Sequence, residues 1–513
     1  MNPYATLLIL ASYFAALFLI AWLTGRKADN AGFFKANQSA PWYIVAFGLI
    51  GTSISGVTFI SVPGKVGYDH WAYMQMVFGY LIGYLVIGTV LMPLYYRMGL
   101  TSIYTYLEKR FGTYTYKTGA VFFLISRLIG SSLRMYLVAM VLQLALFEPL
   151  GIPFWVNVLV SLGLIFAYTF KGGVKTVIWT DTLQTAAFLG AAAAVLVIIG
   201  QELGLNGGSL VAAVRGSELS SIWVWDWKPG NSFFKQFIGG AFIAIAMSGL
   251  DQDIMQKNLA CRNIREAQQN MLLFSCVLVF VNLLFVSLGT MLYLYGQETG
   301  LVAILQQKGC MIQIADPVTH EMVCRARTDE LFPLLALNYL GPVVGICFLI
   351  GIVAAAYSSA DSALTSLTTS YCVDMLDFEK QAETSHQQAV RIRVHLVFAG
   401  LMAGIILFFG WINNQAVIDV IFDVATYTYG PLLGMFFYGL LTRRAVRDTW
   451  TPWICLLAPA LTYLIQLYSP QWLGYTFSFE KLPLNGLLTM AGLALAGWGL
   501  PRVSAALASG RSA

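Results

Sequence analysis

An all-α integral membrane protein is the fold class the sequence predicts, and three observations predict it. Of the 513 residues 58% are hydrophobic and 11% charged, where a soluble domain carries roughly 25% charged residues. The apolar residues fall into runs of about 20, long enough to cross a bilayer as helix. The lysines and arginines gather in alternate connections between these runs. The mean hydropathy of +0.70 agrees. On so apolar a chain a net charge of +5 is no sign of nucleic acid, and the expected surroundings are lipid.

Taken in order, thirteen spans are predicted: 4–24, 42–64, 70–96, 118–147, 153–170, 176–200, 233–256, 268–296, 338–374, 394–412, 416–441, 449–468 and 484–501. The first has no basic residue before it and is followed by Arg26 and Lys27, the wrong order for a cleaved signal peptide. It reads as a true span with its N-terminus outside. In that orientation 20 of the 30 lysines and arginines lie inside and 8 outside, and the two left over, Arg127 and Arg134, stand within the fourth span. The excess predicts an odd number of spans and a cytoplasmic C-terminus, in the plasma (inner) membrane.

No enzyme is expected. The longest gaps, 201–232 and 297–337, are too short for a catalytic domain. His70, His320, His386 and His395 form no metalloprotease or nucleophile pattern. The seven cysteines are too scattered for a disulfide framework, although Cys310 and Cys324 share one loop and can pair if it faces an oxidising compartment. Glycine pairs such as Gly79 and Gly83 read as close helix packing.

The ninth span carries the chemistry. Its inner half, GIVAAAYSSADSALTSLTTSY (351–371), continues an apolar run yet is crowded with hydroxyls and holds Asp361. At 3.6 residues per turn Ser358, Asp361, Ser362, Thr365 and Thr369 share one face, with Ala355 at its upper end. A serine or threonine pair commonly just joins helices. A whole stripe of oxygens around one buried carboxylate suits a small hard cation instead.

The second span completes that shell. GLIGTSISGVTFISVPGKVGY places Gly51, Gly56, Pro63 and Gly64 among hydroxyl residues at hydrocarbon depth, which predicts a broken helix. Carbonyls freed at Gly51 and Ile54 can join Ala355, Ser358 and Ser359 around sodium, the device by which inverted-repeat transporters hold an ion near the midplane.

Four segments carry a resemblance over nearly the whole chain: GTSISGVTF in the second span, KGGVKTVIWTDTLQ (171–184), GLDQDIMQKNLACRNIREAQ (249–268) and AAAYSSADSAL (354–364). A weaker fifth is YGPLLGMFFYGLLTRR (429–444). Together they resemble the sodium:solute symporter family, which includes sodium/glucose cotransporters, proline permeases and sialic acid transporters. The resemblance implies a single transporter domain over 1–513 with a LeuT-like fold: one leading helix, two inverted five-helix repeats over about 42–200 and 233–441, and two trailing helices. It puts the common sodium site on the carbonyls of Gly51, Ile54 and Ala355 and the hydroxyls of Ser358 and Ser359. A second sodium, held by some members, would fall on Asp181, Asp361 and Ser362. Asp361 replaces a hydroxyl there, so this second site is open to a proton as well as to sodium.

Arg127 and Arg134, two turns apart in the fourth span, each need an anion. Either a substrate carboxylate supplies it, as on this helix in sialic acid transporters, or Asp419 or Asp423 of the eleventh span does. The solute pocket is expected at the break, against Ser53, Ser55 and Thr58, with Gln75 and Phe78 as opposite walls and Asn282 and Tyr427 as lesser candidates. The predicted function is sodium-coupled import of a small organic solute, with a lean to a carboxylate or acidic sugar. A proton-coupled relative and a sodium- or solute-sensing receptor are the alternatives. A channel lacks its ring of charges.

Overall fold

A computed structural model describes residues 3–25, 30–307, 310–315, 321–325, 328–378, 385–412 and 417–501. Arg26 and Lys27, used above to orient the first span, lie outside them. Among the described residues nine helices are long and apolar enough to cross a membrane, or up to eleven if each of two bent pairs counts as one span. Two more apolar helices are shorter.

The helices follow the predicted runs. In chain order they are α1 (Pro3–Gly25), the bent pair α2 (Trp42–Ser53) and α3 (Gly56–Asp69), α4 (Tyr73–Val86), α5 (Thr113–Leu142), α6 (Phe154–Thr169) and α7 (Val174–Glu202). Then come α8 (Phe233–Ala244), α9 (Gln252–Asn258) and α10 (Ile264–Glu298). The series ends with α11 (Gly341–Ser370), α12 (Ser385–Ile412), α13 (Val417–Leu441), α14 (Thr451–Leu473) and α15 (Lys481–Ala496).

The predicted break in the second span is real, with α2 and α3 meeting at 58°. Ile54 and Ser55 between them are extended, with ψ of 98° and 175°. The seventh span, read above as one helix, is also bent: the segment Phe233–Gly249 turns by 68° into α9. Gly249 and Asp251 lie at that turn, and the Asp251 side chain caps α9 by accepting from Asp253 N.

Small residues set how closely these helices approach. A β-carbon on Gly79 would lie 2.1 Å from Phe237 O, and one on Gly83 2.5 Å from Ala241 O, so α4 lies directly against α8. This is the close packing expected of the pair. α11 is the central helix: 78% of its most apolar window is buried, against 17% for α1. Its stretch Ala354–Ala356 faces the break, where a β-carbon on Gly56 would meet Ala356 Cβ at 3.5 Å.

One feature was not expected. Between α10 and α11 lies a three-stranded antiparallel sheet in the order β1 (Val302–Gln307), β2 (Cys310–Ala315), β3 (Met322–Arg325). Val302, Ile312 and Ile314 turn to its buried side. Cys324 is disulfide-bonded; the side chain of Cys310 lies outside the described residues.

Candidate functional site

The site forms where the broken α2–α3 span meets α11. The α2 hydrogen-bond ladder ends at Ile50, whose carbonyl accepts from Ile54 N at 2.8 Å. The Gly51 and Ile54 carbonyls lie past that end, where the chain turns extended. Gly51 has no room for a side chain, because a β-carbon there would sit 2.4 Å from Thr185 Oγ1 and 2.9 Å from Ser358 Oγ. Backbone and hydroxyl are thus brought together, as the sequence predicted for these two positions. Ser358 Oγ donates to Asp181 Oδ1 at 2.6 Å, which leaves its lone pairs free. Ser359 Oγ accepts from Arg134 Nη1 at 3.3 Å. Thr185, which sequence reasoning did not select, stands one turn past Asp181 with a buried, unpartnered hydroxyl.

Beside this lies a charged cluster. Asp181 and Asp361 are fully buried, and Ser362 Oγ lies between them, 3.4 Å from Asp181 Oδ2 and 3.3 Å from Asp361 Oδ1. The three residues predicted for a second ion are therefore neighbours. Asp361, however, is held by the Tyr168 hydroxyl at 2.7 Å. Asp181 Oδ2 is held at 2.6 Å by Lys257 Nζ, which also donates to Thr52 Oγ1 and Ser362 Oγ. Lys257 is one of the 20 basic residues that the predicted topology places inside, just past a span taken to run straight to 256. The 68° bend turns α9 inward and buries it.

The two arginines have different surroundings. Arg127 is buried and paired with Asp253, with Asp251 Oδ2 3.8 Å from its Nη1. The Tyr429 hydroxyl donates to the same Asp251. The internal partners are thus the acids of the seventh span. Asp423 of α13 pairs with Lys481 instead, and the Asp419 side chain lies outside the described residues. Among the described residues no carboxylate pairs with Arg134.

Arg127 and Arg134 both border a cavity of about 100 Å³, partly open to solvent, at the helix break. Its walls include Ser53, Ser55 and Thr58, as predicted, and Asn282, whose amide donates to Leu278 O at 2.8 Å. α4 presents other residues than expected: Tyr73, Tyr80 and Tyr84 line the cavity. Gln75 is turned away and spent on backbone, donating to Ala72 O and Asn231 O and accepting from Val224 N. Phe78 stacks on Trp223 at 5.7 Å. Tyr427 bonds Gln466 and is not part of the cavity wall. A second cavity, lined among others by Lys65, Asp69, Asn231 and Phe479, shares Tyr73 and Phe422 with the first.

The lower hydroxyls of α11 join helices. Thr368 and Thr169 both bond His395 at 2.8 Å. Thr369 accepts from Gln256 at 2.8 Å. The last turns of the polar stripe therefore serve to join helices.

A model of the sodium:solute symporter family matches residues 33–448. A sodium/sialic acid symporter of Aliivibrio fischeri is 24% identical over 447 residues, 85% of this chain and 83% of its own. Sodium-coupled monocarboxylate transporter 1 of Xenopus laevis is 26% identical over 434 residues, 82% of this chain and 64% of its own. Among solved structures, a sodium-coupled sialic acid symporter in a substrate-bound, outward-open state matches with a TM-score of 0.78 at 18% identity, over 97% of this chain and 98% of the other. A nucleobase-cation-symport-1 family transporter in a closed conformation gives 0.60 at 14% identity, over 94% and 98%. At these identities the structural likeness concerns the fold.

Proposed function

The chain belongs to the sodium:solute symporter family, and from that premise we propose that it imports a small acidic solute, a carboxylate or an acidic sugar, together with sodium by alternating access. The observation that carries the acidic solute is Arg134. It is a guanidinium on the cavity wall, without a carboxylate partner among the described residues, and bonded to a hydroxyl of the ion site. The names of relatives that carry sialic acid or monocarboxylates support the same class.

Sodium binds the carbonyls of Gly51, Ile54 and Ala355 and the hydroxyls of Ser358 and Ser359, a set of neutral oxygens suited to a hard cation. The ion draws the Ser359 oxygen toward itself and repels the nearby guanidinium. Arg134 then turns to the cavity, where its fork meets the solute carboxylate between Ser53, Ser55, Thr58 and the α4 tyrosines. Each ligand thereby raises the affinity for the other by the same factor. Arg127, neutralised by Asp251 and Asp253, holds the bent seventh span to α5.

The framework is thirteen spans, obtained by counting each bent pair and the two shorter apolar helices as crossings. The N-terminus is outside and the C-terminus cytoplasmic. The two inverted repeats cover about 42–200 and 233–441, and each opens with a bent span, which supports the pairing of the halves. The test is thermal stabilisation of the purified protein by sialic acid, short monocarboxylates, glucose and proline, each with and without sodium. An acid that raises the melting temperature only in sodium is the expected result. Stabilisation by a neutral solute alone would move the substrate class, and indifference to sodium would end the symport reading.

A further inference from the structure

Resting on that symport reading, we propose that Lys257 is a resident cation: its ammonium stands where a second sodium would be held, so that the chain carries one sodium per cycle, at the common site alone. The ammonium has three donors, and they are directed to Asp181 Oδ2, Thr52 Oγ1 and Ser362 Oγ. Asp181 and Ser362 are two of the three residues predicted for the second ion. The third, Asp361, is bonded by Tyr168 and Ser362.

Burial makes the arrangement exclusive. Lys257 and Asp181 are only 2% and 0% exposed, so the positive charge has no route to solvent without breaking the pair. A sodium on the same oxygens would stand within a few ångströms of a fixed positive charge, in surroundings that screen poorly. One cation excludes the other. The lysine also supplies the joining that an ion would provide. From α9 it reaches α2 through Thr52, α7 through Asp181 and α11 through Ser362. Asp181 divides its two oxygens, Oδ2 to Lys257 and Oδ1 to the Ser358 hydroxyl, so the resident charge is one residue removed from the exchangeable ion.

The test is equilibrium binding of radioactive sodium alone to the purified full-length protein. The wild type is expected to bind about one ion per chain without cooperativity, and Lys257→Ala, which opens space beside Asp181, about two. Lys257→Arg, which keeps the charge, stays at about one. A wild type that binds two ions overturns the proposal whatever the variants do. So does a folded Lys257→Ala, or the less disruptive Lys257→Gln, that still binds one. A wild type that binds no sodium overturns the underlying symport reading, an outcome distinct from a wrong count.

Discussion

Replacing each arginine of the fourth span by glutamine separates a structural charge from a ligand-binding one. Arg127 is 5% exposed and ion-paired with Asp253, and Asp251 lies within 3.8 Å. Arg127→Gln takes from two buried carboxylates their nearest cation, leaving Asp253 only Lys257 at 4.0 Å, and breaking such a pair costs about 3–5 kcal/mol. That is a large part of the roughly 5–15 kcal/mol that holds a domain together. Arg134→Gln strands no carboxylate among the described residues, and its fold should stay near wild type. Its cost falls on binding: losing a charge-assisted partner for a carboxylate is worth about 2–5 kcal/mol, or about 30-fold to a few thousand-fold in affinity. Thermal melts of both variants, with calorimetric titration of sialic acid in saturating sodium, read the two costs separately. Unchanged acid affinity in Arg134→Gln, or a wild-type melt for Arg127→Gln, would refute the assignment.

Two further outcomes are expected. Ser359→Ala removes one proposed sodium oxygen and the acceptor of Arg134; at about 1.5–3 kcal/mol for a contact to a charge, the sodium needed for half-maximal uptake into proteoliposomes should rise about tenfold or more. An unmoved sodium curve would take Ser359 out of the site. Gly51→Ala forces a methyl against Thr185 and Ser358, and overpacking of this kind costs about 1–3 kcal/mol. A melting temperature equal to wild type would show that the break has slack there.

Most of the helices and the break in the second span were legible in the sequence, because hydropathy marks spans and misplaced glycine and hydroxyl residues mark a break. The second bend was not. Gly249 and Asp251 stand near the end of an apolar run, where a turn toward the loop and a turn back into the protein look the same in one dimension. Lys257 went to the loop for that reason. The walls of the cavity failed differently. Gln75 and Phe78 were chosen for their chemistry, whereas the face α4 presents is set by its contact with α8 through Gly79 and Gly83. Had those glycines fixed the phase, Tyr73, Tyr80 and Tyr84 would have been the residues to name. The small sheet was written in the alternation of Ile312 and Ile314, too short a pattern to stand out beside spans of twenty residues.

Tyr73 and Phe422, the two rings shared by both cavities, set a clock. Exposed side chains reorient in picoseconds to nanoseconds, whereas helices that rock to expose the other face of a membrane take microseconds to milliseconds. A solute exchanging between the chambers past these rings would therefore do so many times for each translocation. Under that separation of rates the concentration giving half-maximal uptake would approach a true dissociation constant.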